Sequence, residues 1–255
     1  MINKTSILSP SALSNRPDGT IIRRHILPGE VIGLIIESVS VKGPCRFFES
    51  VLPDCYYLLL SLKGNSLLCL QNKEFEFKAK SIARIPYNEQ IDIKIEKGEE
   101  FHFLFLKKKL DDTDLHLISQ NRDEHSSIYN KHIRECQAYT EDIKSSKTIS
   151  RMLLPVGLIP RLCIGSVETT GPDFVGEHEH PMLDQLFLGW DNCQCTCIAD
   201  GESTLLTENT ILHIPLGSKH SVSVSEGDIL SYIWFDFFFS LKGQDYIEEQ
   251  HKMDD

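Results

Sequence analysis

The chain has 255 residues, 41% apolar and 25% charged, an ordinary water-soluble composition with material for one large core or two of medium size. Its 37 acidic against 26 basic side chains leave a formal net charge of −11 with no long Lys/Arg cluster, which argues against nucleic acid and anionic membrane surfaces as partners. The first residues lack the apolar core of a secretory signal, no stretch is apolar for long enough to span a bilayer, and the eight cysteines therefore read as reduced thiols in a cytoplasmic protein.

Residues 1–20 are polar, with Pro10, Pro17 and Gly19, and read as an N-terminal arm. From 21 to 107 short runs rich in Ile, Val, Leu and Phe alternate with turn residues, for example Val31–Val39, Tyr56–Leu62, Ile91–Ile95 and Phe101–Leu106. Such even spacing predicts an all-β sandwich or barrel. Residues 108–148 are polar and charged with no strong apolar stripe, and read as a linker with one or two short helices. The strand rhythm resumes over 149–240, and 241–255 form a polar tail.

The two strand-rich halves repeat each other. Ile22-x-Arg24-x-x-Leu27-Pro28 recurs as Ile149-x-Arg151-x-x-Leu154-Pro155, an offset of 155 − 28 = 127. Ser38-Val39, Gly43-Pro44 and Pro53 return as Ser166-Val167, Gly171-Pro172 and Pro181 at 128, and Pro86 and Gly98 return as Pro215 and Gly227 at 129. A nearly constant offset means one barrel-sized unit used twice.

The halves part company at three histidines. His178 and His180 are two apart, so on a strand both imidazoles leave one face while Glu177 and Glu179 leave the other. His220 follows a Pro215-Leu216-Gly217 turn about one hairpin later, an arrangement suited to holding a metal ion. Carried to the first half at 128, His178 falls on Ser50, His180 on Leu52 and Gln185 on Tyr57; at 129, His220 falls on Ile91. The N-terminal half is therefore expected to be metal-free, and is left with packing, with closing a homodimer, or with shaping the entrance to the other pocket.

The paired pattern resembles the cupin superfamily, whose motifs read G-x5-H-x-H-x(3,4)-E-x6-G and G-x5-P-x-G-x2-H-x3-N. The second fits at Pro215, Gly217 and His220, with Asn209 and Val224 in its glycine and asparagine places. The first fits at His178 and His180, with Gly171 one residue early, Gln185 in the glutamate place and Asn192 in the closing glycine place. The resemblance covers most of 21–240 and implies a bicupin: two tandem jelly-roll barrels, with metal motifs in the C-terminal one. It implies one divalent transition metal ion per chain, Zn, Fe, Mn or Ni, held by His178, His180, His220 and Gln185. Asp184 is the competing fourth ligand, since it satisfies the shorter spacing; only one of two neighbouring strand residues can point inward.

Other side chains carry weaker signals. Cys193, Cys195 and Cys197 share a face and read as core, because Cys195 and Cys197 align with Leu67 and Cys69. His213 could support the ligands or be an ordinary strand histidine. Tyr232, Trp234 and Asp236 alternate on the last strand, and one of its two faces closes the core. The sequence names no general base.

The family resemblance implies chemistry on a small polar or anionic metabolite at a metal ion. Sugar or sugar-acid isomerisation, with the metal as a Lewis acid, is favoured by the size and the single occupied half. The alternatives are an iron-dependent dioxygenase, or a non-catalytic small-ligand sensor or structural bicupin. A sensor of the transcription-regulator kind would need a DNA-binding part, and here the second half is another barrel.

Overall fold

A computed structural model describes residues 2–7, 13, 15–180, 182–244 and 252–253. The chain divides into two units, one of residues 8–135 and one of residues 1–7 with 136–255. Among the described residues no helix is long and apolar enough to cross a membrane.

The chain enters through β1 (Asn3–Ser6), which belongs to the second unit. The first unit contains β2 (Ile21–Ile26), β3 (Leu34–Lys42), β4 (Cys45–Glu49), β5 (Cys55–Lys63), β6 (Ser66–Leu70), β7 (Lys73–Phe77), β8 (Ser81–Arg84), β9 (Ile91–Ile95) and β10 (Glu100–Lys109). Then come α1 (Asp112–Gln120), α2 (Arg122–Ser126) and β11 (Tyr129–His132). Alternation decides the strand state: β9 buries Ile91, Ile93 and Ile95 fully and turns Asp92 and Lys94 away. Two antiparallel sheets result, ordered β11-β8-β5-β10-β3-β2 and β4-β9-β6-β7. Their inner faces enclose a core that includes Phe47, Phe77, Phe101, Phe103 and Phe105. Each such buried ring is worth about 1.5–3 kcal/mol of transfer free energy.

The second unit repeats the plan with β12 (Ala138–Thr140), β13 (Ile149–Ile159), β14 (Leu162–Thr170), β15 (Asp173–His178), β16 (Leu183–Gly189), β17 (Gln194–Ala199), β18 (Glu202–Thr207), β19 (Thr210–Ile214), β20 (His220–Val224), β21 (Ile229–Phe238) and β22 (Lys252–Met253). Its sheets are ordered β1-β19-β16-β21-β14-β13-β12-β22 and β15-β20-β17-β18. On the edge of β19, β1 takes the place that β11 takes on β8. The fold is all-β, a jelly-roll barrel used twice. Gly43-Pro44 and Gly171-Pro172 both carry cis peptide bonds. Both glycines are obligatory, since a Cβ would lie 1.9 Å from Glu96 O at Gly43 and 1.8 Å from Ser225 O at Gly171. Pro181 lies outside the described residues.

The connecting stretches differ from expectation. Asn3–Ser6 of the expected arm is a strand. The expected linker, 108–148, is shared out: α1, α2 and β11 belong to the first unit, and β12 and the turn after it to the second. Polar contacts hold the two helices, which is why no apolar stripe marks them. Asp111 and Asp114 form a capping box, and the buried Asp114 also accepts from Lys108 at 2.8 Å. The buried Arg84 donates to Glu124 O at 2.7 Å and to Ser127 O at 2.8 Å. Most of the expected tail lies outside the described residues.

Candidate metal centre

His178 ends β15 and His220 opens β20, and the two lie directly opposite in register. The register slips by one residue between Val175 and His178, so β15 carries a bulge at Gly176-Glu177 that re-aims His178. His180 stands two residues beyond the strand and not on it, as the H-x-H spacing had suggested. The three imidazoles nevertheless converge, with ring centroids 4.9 Å apart for His178 and His180, 4.2 Å for His178 and His220, and 5.5 Å for His180 and His220. One potential donor atom from each lies within 4.8 Å of the others.

Backbone carbonyls fix the tautomers of two of them. His178 Nδ1 lies 2.7 Å from Gly176 O, and His220 Nδ1 lies 3.1 Å from Ser218 O. A carbonyl oxygen can only accept, so each Nδ1 carries the proton and each Nε2 keeps a lone pair. His220 Nε2 is buried and has no hydrogen-bond partner among the described residues. Burial lowers the His178 pKa despite the Gly176 bond, and burial with the neighbouring His178 brings His220 down to about 4. Both rings are thus neutral near pH 7, the state in which imidazole coordinates.

Gln185 and Asp184 take opposite faces of β16. Gln185 shares the inner face with Leu183 and Phe187, and Phe187 packs on His220 with centroids 5.6 Å apart. Its Nε2 donates to Asp236 Oδ1 at 2.7 Å, while its Oε1 is buried with no hydrogen-bond partner among the described residues. Asp184 faces the other way, its Oδ1 3.2 Å from His213 Nε2. His213 is therefore tied to Asp184 on the far face and does not support the histidine cluster. The three converging imidazoles, with His220 Nε2 a buried acceptor that has no hydrogen-bond partner among the described residues, form a donor set that fits a divalent transition metal. The orphaned Gln185 Oε1 on the inner face is a further acceptor of the kind such an ion takes.

On β21, Tyr232, Trp234, Asp236 and Phe238 alternate inward. Burial raises the Asp236 carboxyl to about 7, against the opposing pull of the Gln185 hydrogen bond. The indole of Trp234 lies across Gly165 and donates to Tyr139 Oη at 3.1 Å. Cys193, Cys195 and Cys197 are all buried in the apolar core, and burial pushes the Cys197 thiol up to about 12.

The sequence reading missed the turn Glu141–Lys144, which lies along β15. Gly176 N donates to Ile143 O at 2.9 Å, Lys144 bridges to Val175, and Ile143 packs on the core. Lys144 is paired with Glu141, and both are nearly inaccessible, with side-chain exposures of 6% and 12%. The charges of both act on His178 and Asp236. Only the i, i+3 charge spacing could have marked the pair, and that spacing is common on solvated turns.

The first barrel has a different furnishing at the same place. Glu49 lies opposite Ile91 as His178 lies opposite His220, and 178 − 49 = 220 − 91 = 129. The bulge in β15 adds one residue, so the counterpart of His178 is Glu49, not Ser50. Tyr57 faces Lys107 as Gln185 faces Asp236. Arg23 pairs with Glu37 and with Glu49 at 2.9 Å, and Lys107 reaches Glu49 at 2.6 Å and Glu37 at 3.4 Å. Arg23 lies over Phe47 and Phe105 at 5.3 and 5.8 Å from the ring centroids. Mutually compensated side-chain charges stand where the second barrel has its histidines.

Neither a protein-family profile nor a curated protein matches this chain. Solved structures do. A Pseudomonas aeruginosa protein provisionally described as glyoxylate-induced aligns with a TM-score of 0.70 at 11% identity, over 84% of this chain and 79% of its own. A cupin 2 conserved barrel domain protein from Leptotrichia buccalis aligns with a TM-score of 0.63 at 13% identity, over 92% and 96%. Oxalate decarboxylase from Bacillus subtilis aligns with a TM-score of 0.62 at 12% identity, over 92% and 78%. The likeness is one of fold: this chain is a bicupin in architecture, with a histidine triad in its C-terminal barrel.

Proposed function

We propose that the C-terminal barrel holds one divalent transition metal ion on His178, His180, His220 and Gln185. The protein is then a metal-dependent enzyme acting on a small polar or anionic metabolite, with sugar or sugar-acid isomerisation as the preferred chemistry. The observation that carries this reading is the convergence of the three imidazoles, and the Gln185 Oε1, buried with no hydrogen-bond partner among the described residues, is offered as the fourth donor. An ion bound there supplies Lewis acidity to a substrate carbonyl or hydroxyl oxygen.

The chain's own residues do the rest. Gly176 and Ser218 carbonyls hold the imidazoles in the coordinating tautomer. Asp236 orients the Gln185 amide so that its oxygen, not its nitrogen, is left over. Three imidazoles and an amide bring no negative charge, so the pocket favours an anionic ligand oxygen. Phe187, Tyr232 and Trp234 are apolar walls that exclude water and strengthen every charge interaction inside.

Elemental analysis of the purified protein beside the His178→Ala variant tests the reading. Zinc, manganese or nickel at about one ion per chain in the wild type and absent from the variant supports it. The next assay is then solvent-proton exchange into a panel of sugar acids. Stoichiometric iron lost in the variant redirects the assay to oxygen uptake and the dioxygenase alternative. No metal in either protein, even after reconstitution, overturns the site and leaves a sensor or structural bicupin.

A further inference from the structure

Lys144 is a buried ammonium group placed by the chain with unusual care. The turn that carries it is pinned at Gly176 N and at Val175, and further along by Asp173, which accepts from Ser145 at 2.7 Å, Thr169 at 2.7 Å and Thr148 at 3.3 Å. Two of the ammonium's three protons go to fixed partners of the barrel wall, Ser150 Oγ at 3.1 Å and Tyr139 Oη at 3.3 Å. Tyr139 is itself held by Trp234. The third goes to the carboxylate of Glu141, three residues away in the same turn. The Gly176 peptide joins this turn to the metal centre, its N–H bound to Ile143 and its carbonyl to His178 Nδ1.

A surface ion pair needs none of this, and a lysine taken out of water is strongly disfavoured as a cation unless it is paired. We propose that Lys144 is the anchor for a carboxylate group of the ligand, and that Glu141 is the internal stand-in for that carboxylate. Ser150 and Tyr139 hold the ammonium in place while its third proton passes from Glu141 to the incoming group, one carboxylate exchanging for another. No bond other than hydrogen bonds changes. The ligand class is a small carboxylate, mono- or dibasic, lying between Lys144 and the histidines. The inference rests on the metal reading for the position of the site, but the anchoring step belongs to Lys144 alone.

The exchange makes an asymmetric prediction about the two partners. Wild type, Glu141→Gln and Lys144→Met are titrated with malonate by calorimetry, each both metal-free and after loading with Mn(II), with metal content measured on the same samples. Removing the internal competitor in Glu141→Gln is expected to tighten malonate binding by about tenfold, and Lys144→Met to weaken it by at least about tenfold, with metal content unchanged in both. Glu141→Gln is nearly isosteric, so it keeps the test open if Lys144→Met folds poorly. An ion pair that only fastens the turn predicts otherwise: both variants melt earlier, and Glu141→Gln binds malonate no more tightly than wild type. That result overturns the proposal. The order of the three affinities is read in the metal-free samples too, so the Lys144 proposal stands or falls on that order, while the metal reading is decided separately by the elemental analysis.

Discussion

Gln185 donates from Nε2 to Oδ1 of the buried Asp236 at 2.7 Å, and that bond turns the amide oxygen away from the Asp236 carboxyl. Replacing Gln185 by Glu sets a second carboxyl at hydrogen-bond distance from Asp236. Without metal, two carboxylates in a buried site repel or share a proton, so the metal-free variant is expected to melt a few degrees below wild type. With metal, the added charge is compensated, and affinity for Zn(II) or Mn(II) is expected to rise by about tenfold or more. Calorimetric metal titration and melting of both forms check the two signs; a fall in metal affinity would mean that Gln185 does not face the ion.

His178 and His220 sit opposite each other in register, so neither can be replaced by a shift of the other strand. His178→Ala and His220→Ala are each expected to abolish stoichiometric metal binding. The triple variant with His180→Ala is expected to contain none by plasma emission spectrometry. Metal retained at full stoichiometry in the triple variant would place the ion elsewhere in the chain.

In the first barrel the sign of the pH dependence can be worked out from two groups. Burial works against the Glu37 charge, but hydrogen bonding from Arg23 and the charge of Lys107 outweigh it, so its pKa falls below the ordinary 4.5. Burial likewise lowers the His102 pKa below its ordinary 6.5, with Nδ1 2.8 Å from Ser40 Oγ. Both folded-state values are depressed, so as pH falls the unfolded chain takes up each proton first. Stability is therefore full above about 6.5, begins to decline below it through His102, and declines further below about 4.5 through Glu37. Melting temperatures across pH 7 to 4 should show a shallower upper decline in His102→Gln. For Glu37→Gln the deficit against wild type should be largest near neutrality and close in acid. A deficit independent of pH would mean that the Glu37 charge contributes nothing.

The duplicated barrel was legible because turns and alternation are local: Gly43-Pro44 and Gly171-Pro172 announce the same corner, and Ile91, Ile93 and Ile95 announce a half-buried strand. The histidines were legible because a downstream P-x-G-x-x-H accompanied them, and parity with the aligned first copy, where Gln185 falls on Tyr57, favoured Gln185 over Asp184 as the inward residue. Three things were not legible. A bulge has no reliable sequence mark, so Ser50 was aligned where Glu49 stands, and the Arg23–Glu37–Glu49–Lys107 cluster went unseen. The short helices after β10 were expected, but not that they belong to the first unit, because buried polar contacts hold them there and leave no apolar stripe. Lys144 and Glu141 reach the site through a turn whose charges look solvated in one dimension and are buried in three.

Gly165 and Gly176 separate two kinds of glycine in the second barrel. A Cβ built on Gly165 would lie 2.2 Å from a ring carbon of Trp234, whereas one on Gly176 would meet nothing closer than Ile143 O at 3.5 Å. The first distance is impossible without moving the indole, and the indole is held along that same edge by the bond from its Nε1 to Tyr139. Overpacking of this kind costs about 1–3 kcal/mol. Gly165→Ala is therefore expected to lower the melting temperature and to shift tryptophan emission as Trp234 leaves its buried seat. Loss of the Trp234–Tyr139 bond should also free Tyr139 and loosen Lys144, so carboxylate binding should weaken in the same variant. Gly176→Ala, with ordinary van der Waals room, should melt near wild type and keep its emission. If Gly165→Ala keeps wild-type melting and emission, the indole does not lie across that strand, and the chain of contacts from Trp234 to Lys144 is broken at its first link.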